Sequence, residues 1–206
     1  MKKNLLLVLL AATSFFAHSQ TKGTNALGFG ITSHRNETEW KANEYNNGHV
    51  DKQSQNSFSL TYGRFIKDNI RLGVTGSVSR GEQEDSNSTY KTEGSGIAIN
   101  YQQYYPLLKR FYAFAGGRAS TFHQDIENSG LSSLSGDSQQ YGIGANGGVA
   151  CFISKRFAFE AQLLSADFTY FKSKNAGDQI NSRQSFFNVS TTGFINNLGF
   201  HIYFLF

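Results

Sequence analysis

Cysteine occurs once in this chain, at Cys151. An internal disulfide, a cysteine redox pair and a cysteine zinc cluster are therefore all excluded. Proline also occurs once, at Pro106. Because proline cannot donate to a central ladder, that position marks a turn. Beyond the first twenty residues, no apolar run approaches the roughly 18 residues that a helical membrane span needs, so a helical membrane protein is excluded. Charge of one sign is missing as well. Nineteen Lys and Arg against fifteen Asp and Glu give +4, and removing Lys2 and Lys3 leaves +2. With no basic cluster, nothing points to nucleic acid. No His-x-x-x-His or comparable ligand spacing points to a metal, and no cofactor fingerprint occurs. What the chain does have is glycine, 21 residues, and aromatics at 15%.

The N-terminus reads as an export signal. Lys2 and Lys3 form the positive region, residues 5–12 the apolar region, and Ala17 and Ser19 the small residues before a cleavage ahead of Gln20. Residues 1–19 are thus expected to be a signal peptide, and residues 20–206 a single β-barrel domain.

That domain reads as strands of period two. The final segment is the clearest: Leu198, Phe200, Ile202, Phe204 and Phe206 share one face. The segment is about as long as a tilted membrane strand. Seven further strands are predicted near residues 24–35, 56–66, 70–80, 94–105, 111–122, 139–153 and 157–171. Glycines Gly116 and Gly117 leave the register of the fifth open to a bulge. Four long polar connections (36–55, 81–93, 123–137 and 172–183) alternate with three short turns at 67–69, 106–110 and 154–156. The predicted fold is all-β: an eight-stranded antiparallel transmembrane up-and-down barrel. A lipocalin-like soluble barrel would turn its apolar face inward. Here the second face is rich in Gly, Ser, Thr and Asn, which suits a narrow polar interior, while the large aromatics suit lipid. Tyr101, Tyr105, Phe111, Phe157 and Phe206 fall near the short turns, as an interfacial aromatic girdle should.

The segments 62–69, 148–157 and 199–206 carry a resemblance. The chain resembles the small bacterial outer-membrane β-barrel family, the eight-stranded, porin-like barrels of the OmpA and OmpX type. The resemblance implies residence in the bacterial outer membrane, contact with its lipid and lipopolysaccharide, and insertion by the barrel-assembly machinery. Phe200, Ile202, Phe204 and Phe206 would act as the membrane-insertion signal. It implies no catalytic residue, and a monomer.

Chemistry-bearing residues are few. Arg71 and Glu160 fall on inward faces of the third and seventh strands, and Arg118 is a third candidate on the fifth. Charges in so narrow a barrel must be paired or hydrated, so an ion-pair plug is expected. Inward Phe152, Tyr104 and Arg71 argue against an open channel. His123 and Asp125 share a face beside Ser120 and Thr121, an arrangement suggestive of a nucleophile, base and acid. A triad is defined by geometry rather than by proximity in sequence, however. His34, His49 and Trp40 lie in or near the first long connection, and His201 is expected inside the lumen, hydrogen-bonded. The resulting expectation is a non-enzymatic outer-membrane barrel with a filled polar lumen, serving envelope structure or surface interaction through four extracellular loops. A porin-like channel for small solutes is the alternative, and a lipid-modifying enzyme the third reading.

Overall fold

The structure is a computed structural model describing residues 20–40, 49–85, 88–128, 136–175, 181–190 and 200–206. The expected signal peptide lies outside the described residues, as do the side chains of His34, His49, Trp40 and Phe200. The described elements are all strands: β1 Asn25–Trp40, β2 His49–Lys67, β3 Ile70–Asp85, β4 Ser88–Pro106, β5 Phe111–Asn128, β6 Gly136–Phe152, β7 Phe157–Asn175, β8 Asn181–Ser190 and β9 Phe200–Leu205.

From β1 to β8 each strand pairs antiparallel with the next, and β9 pairs with both β1 and β7, so the sheet closes on itself. Closure reaches the last residue: the Asn25 amide donates to the Phe206 carbonyl at 2.7 Å, and the Phe206 amide returns to Asn25 at 3.0 Å. Nine strands fill eight places, because β8 and β9 both lie along β7. The eighth strand expected from the sequence is described in two parts, β8 and β9, and residues 191–199 between them lie outside the described residues. Ser190 pairs with Ser165 and Phe200 with Ala161.

The strands run further into the polar connections than the sequence suggests. β1 and β2, for instance, pair from Asn25↔Arg64 out to Trp40↔His49, across much of the expected loop 36–55. A ladder needs backbone donors and acceptors, not apolar side chains. Once both faces are polar, alternation fades while the pairing continues. The outward apolar residues, among them Phe29, Leu60, Val74, Ile99, Ile143 and Ile202, are exposed and form a belt on the outer face. Beyond it a registered row of Arg80, Glu93, Asp125, Asp137 and Lys174 marks the polar side.

Strand β5 keeps its register through Gly116 and Gly117, so the bulge left open there does not form. The irregularity falls instead between Gly147 and Gly148, where β7 carries Leu163 as an extra residue. The short-turn end holds the buried core: Ala26, Phe65, Tyr104, Phe114, Ala150, Phe152, Ala158, Tyr203 and Leu205. Tyr104 is at its centre, with ring centroids 5.7 Å from Phe65, 6.0 Å from Phe152 and 6.1 Å from Phe114.

Inward glycines make room for these rings. Gly28 pairs with Tyr203, and Gly148 with Phe114. A Cβ on Gly28 would sit 2.2 Å from Tyr203 Cε1. Gly76 faces outward, and a Cβ there would meet nothing within 4 Å. Gly28→Ala is thus expected to destabilise the barrel by about 1–3 kcal/mol through overpacking, whereas Gly76→Ala is expected to be neutral or stabilising by a few tenths. Urea unfolding of the lipid-refolded variants checks this contrast, and equal losses at both positions would refute it.

Candidate functional site

Among the described residues chemistry-bearing side chains converge in the lumen, and β3, β4, β7 and β9 build its floor. Register brings Arg71 opposite Gln102, and Glu160 opposite His201. Arg71 Nη2 lies 3.0 Å from Glu160 Oε2, and both side chains are only 3% exposed. Tyr104 Oη donates to Glu160 Oε1 at 2.5 Å, and Gln102 Nε2 to Oε2 at 3.4 Å. Arg71 also donates to the Gln102 side-chain carbonyl. Its guanidinium carbon sits 3.9 Å from the Tyr203 ring centroid, a cation–π contact. The carboxylate thus accepts from three side chains and the cation rests on an aromatic face. That degree of satisfaction is what an ion pair needs to offset its desolvation.

Above this layer, Arg118 does not join the Arg71–Glu160 pair. It donates through Nε and Nη2 to Asp167 Oδ1, at 3.0 and 2.8 Å. Asp167 was not singled out from the sequence, because strict alternation from inward Glu160 and Gln162 places it outward. The extra residue at Leu163 shifts the parity of β7 and turns Asp167 inward, where it faces Gly144. A Cβ on Gly144 would lie 2.0 Å from Asp167 Oδ1.

Between the floor and the outer strand ends lies a cavity of about 460 Å³. Among the described residues the lumen is therefore packed at its base, with this cavity above it. Serines, threonines and side-chain amides line this chamber, among them Ser57, Thr75, Asn100, Ser120, Gln124 and Gln140. Its charged groups are paired. A second cavity of about 370 Å³ shares Gln124 and adds Ile126, Phe171 and Phe186.

The remaining candidates do not assemble. His123 Nε2 lies 3.3 Å from Asp125 Oδ1, with both side chains more than half exposed. By strand parity they point outward, whereas Ser120 lines the lumen. Among the described residues no hydroxyl hydrogen-bonds His123, so nucleophile, base and acid are not brought together. His201 is inside, as alternation predicts. Its ring stacks on Tyr203, centroids 6.2 Å apart, and no side-chain hydrogen bond to it is present among the described residues. Among those residues, too, no three His, Cys, Asp or Glu side chains gather as a metal site would require.

The floor yields a stability test. Arg71→Met strands a buried carboxylate and is expected to cost about 3–5 kcal/mol. Arg71→Met with Glu160→Met removes both charges and should regain much of that loss. Equilibrium urea unfolding in lipid measures both variants. A double variant as unstable as the single one would show that the pair is not the dominant interaction.

No protein-family model matches this chain, and no curated protein does. Among solved structures it is similar to Neisserial surface protein A, at 13% identity and a TM-score of 0.54 over 90% of this chain and 98% of that one. It is also similar to the translocator domain of the autotransporter NalP from Neisseria meningitidis, at 12% identity and a TM-score of 0.48 over 91% of this chain and 64% of that one. A major outer membrane protein from Thermus thermophilus follows, at 10% identity and a TM-score of 0.41 over 88% and 99%. The likeness to Neisserial surface protein A shows a shared fold, that of a bacterial outer-membrane β-barrel.

Proposed function

We propose that this protein is a non-enzymatic, non-conducting barrel of the bacterial outer membrane, of the small OmpA and OmpX type, serving envelope structure or surface interaction through its four long connections. The carrying observation is the sealed floor. Tyr104, Phe65, Phe114 and Phe152 pack across the short-turn end, directly beneath the Arg71–Glu160 pair. A solute crossing the barrel would have to displace those rings and separate a buried ion pair in the same step.

Residence in the outer membrane is supported by the exposed apolar belt and by Tyr101, Tyr105, Phe111, Phe157 and Phe206, all exposed near the short turns. Ile202, Phe204 and Phe206 alternate to the chain end, and Phe206 closes the ring by pairing with Asn25. They would serve as the insertion signal with Phe200. On this reading the protein is exported by residues 1–19, inserted by the barrel-assembly machinery, and held as a monomer by lipid and lipopolysaccharide around the belt. The non-enzymatic part rests on the dispersal of His123, Asp125 and Ser120 over two faces.

Planar-bilayer recording of the refolded protein tests the proposal. The native barrel is expected to give no conductance steps. Tyr104→Ala combined with Phe152→Ala removes two central rings of the floor and is expected to produce discrete steps. Reproducible steps from the native barrel would replace this reading with the porin-like channel.

A further inference from the structure

The seal accounts for the base of the lumen but not for the chamber above it. A blind, rigid barrel is most simply packed with side chains to its full length. This one instead keeps an internal space of about 460 Å³, within the usual range of ligand pockets, roughly 300–1,000 Å³.

One aromatic in that wall, Phe122, is set between two glycines. Phe122 lies opposite Gly96, next to Gly94, on the neighbouring strand. A Cβ on Gly94 would come 2.5 Å from Phe122 Cε1, and a Cβ on Gly96 would come 2.5 Å from Cδ2. Both glycines would point their side chains inward, so the Phe122 ring covers both. It occupies the space that side chains at Gly94 and Gly96 would fill, and it lines the cavity. Any other residue at Gly94 or Gly96 would lift the ring off the wall. Flat aromatic faces accept the C–H side of a sugar ring, and their area provides contact without a rotamer cost.

Around that ring are groups that both donate and accept. Gln140 pairs directly with Phe122 across the strands, and Gln124 is the next inward residue on β5. The side chains of Gln124, Gln140 and Ser120 have no hydrogen-bond partner among the described residues. Asn100 donates to Thr75 at 2.7 Å, which leaves the rest of its amide available. Arg118 uses two of its five donors on Asp167.

The charge balance restricts the ligand class. Arg71 is matched by Glu160 and Arg118 by Asp167, so among the described residues the chamber offers no unpaired charge to an ion. An ionic ligand would have to break an existing pair. An apolar one would strip water from amides and hydroxyls without replacing their hydrogen bonds. A polyhydroxylated neutral ring meets both requirements, because each hydroxyl donates and accepts as the wall does.

We propose that the chamber is a binding site for a small neutral saccharide, stacked on Phe122 and held by Gln124, Gln140, Ser120, Asn100 and Arg118. The inference rests on the sealed-floor reading, which makes the chamber a blind cup rather than a stretch of a pore. A blind cup retains a bound sugar and offers it no exit through the base.

Saturation-transfer NMR on the intact barrel, in phosphocholine micelles that carry no sugar headgroup, tests this. The probes are glucose, maltose and glucose 6-phosphate. Saturable transfer to glucose or maltose is expected, with none to glucose 6-phosphate. Phe122→Ala and Gln140→Met are each expected to weaken affinity at least tenfold, and Ile99→Val on the lipid face to leave it unchanged. Heat-modifiable gel mobility verifies that each variant is folded. The inference is overturned by absence of saturable binding to either neutral sugar, by undiminished binding in folded Phe122→Ala, or by a preference for the phosphorylated sugar. Bilayer recording of the same preparations keeps the two readings apart. Conductance steps overturn the sealed floor whether or not sugar binds, and failure to bind sugar overturns the saccharide site whether or not the barrel conducts.

Discussion

In hydrocarbon no water is available to satisfy a backbone amide or carbonyl, so a strand that enters the bilayer must be paired on both sides. The pairing of β1 with β9, completed by the reciprocal bonds of Asn25 and Phe206, meets that requirement at the seam. Once the ring is closed, its radius is limited and each strand has one face toward lipid and one toward a narrow lumen. The exposed belt, the crowded base and the need to pair every inward charge all follow from that closure. A chain with modest overall hydrophobicity meets these conditions because only alternate residues must be apolar.

Crowding inside a small closed ring is relieved by pairing large residues with glycine. Tyr203 faces Gly28, His201 faces Gly30, Phe122 faces Gly96, Phe114 faces Gly148 and Asp167 faces Gly144. In each case a Cβ on the glycine would come within 3 Å of the facing side chain. These five glycines are thus a packing requirement of the lumen, not a sign of flexibility. They also let the floor carry four rings and still accommodate the Arg71–Glu160 pair. The same device seats Phe122 in the chamber wall, so one steric rule connects the seal with the space above it.

Much of the architecture was legible in the sequence. Alternation located the strands, and Pro106 and the short polar triplets located the turns. The polar lumen face identified Arg71 and Glu160 as inward. Less was legible about strand length, because Arg35 through Trp40 carry no apolar alternation yet remain in the ladder. The partner of Arg118 was not legible either. Its choice depends on the extra residue at Leu163, which reverses the parity of everything after it in β7, and a two-residue period contains no information about such an insertion. The dispersal of His123 and Ser120 over opposite faces could be read from their adjacent parity. Whether His123 meets any hydroxyl was a matter of three-dimensional placement.

The sequence by itself determined which residues face lipid and which face the lumen over most of the belt. That property is local: successive side chains of a strand point to opposite faces regardless of their neighbours. The tertiary structure alone decided which inward residues meet. The contact of Arg71 with Glu160, the seating of Phe122 on Gly94 and Gly96, the sealing of the base and the chamber above it all depend on register and on bulges. Register couples residues far apart in the chain, and a shift of one position reverses every face it passes through.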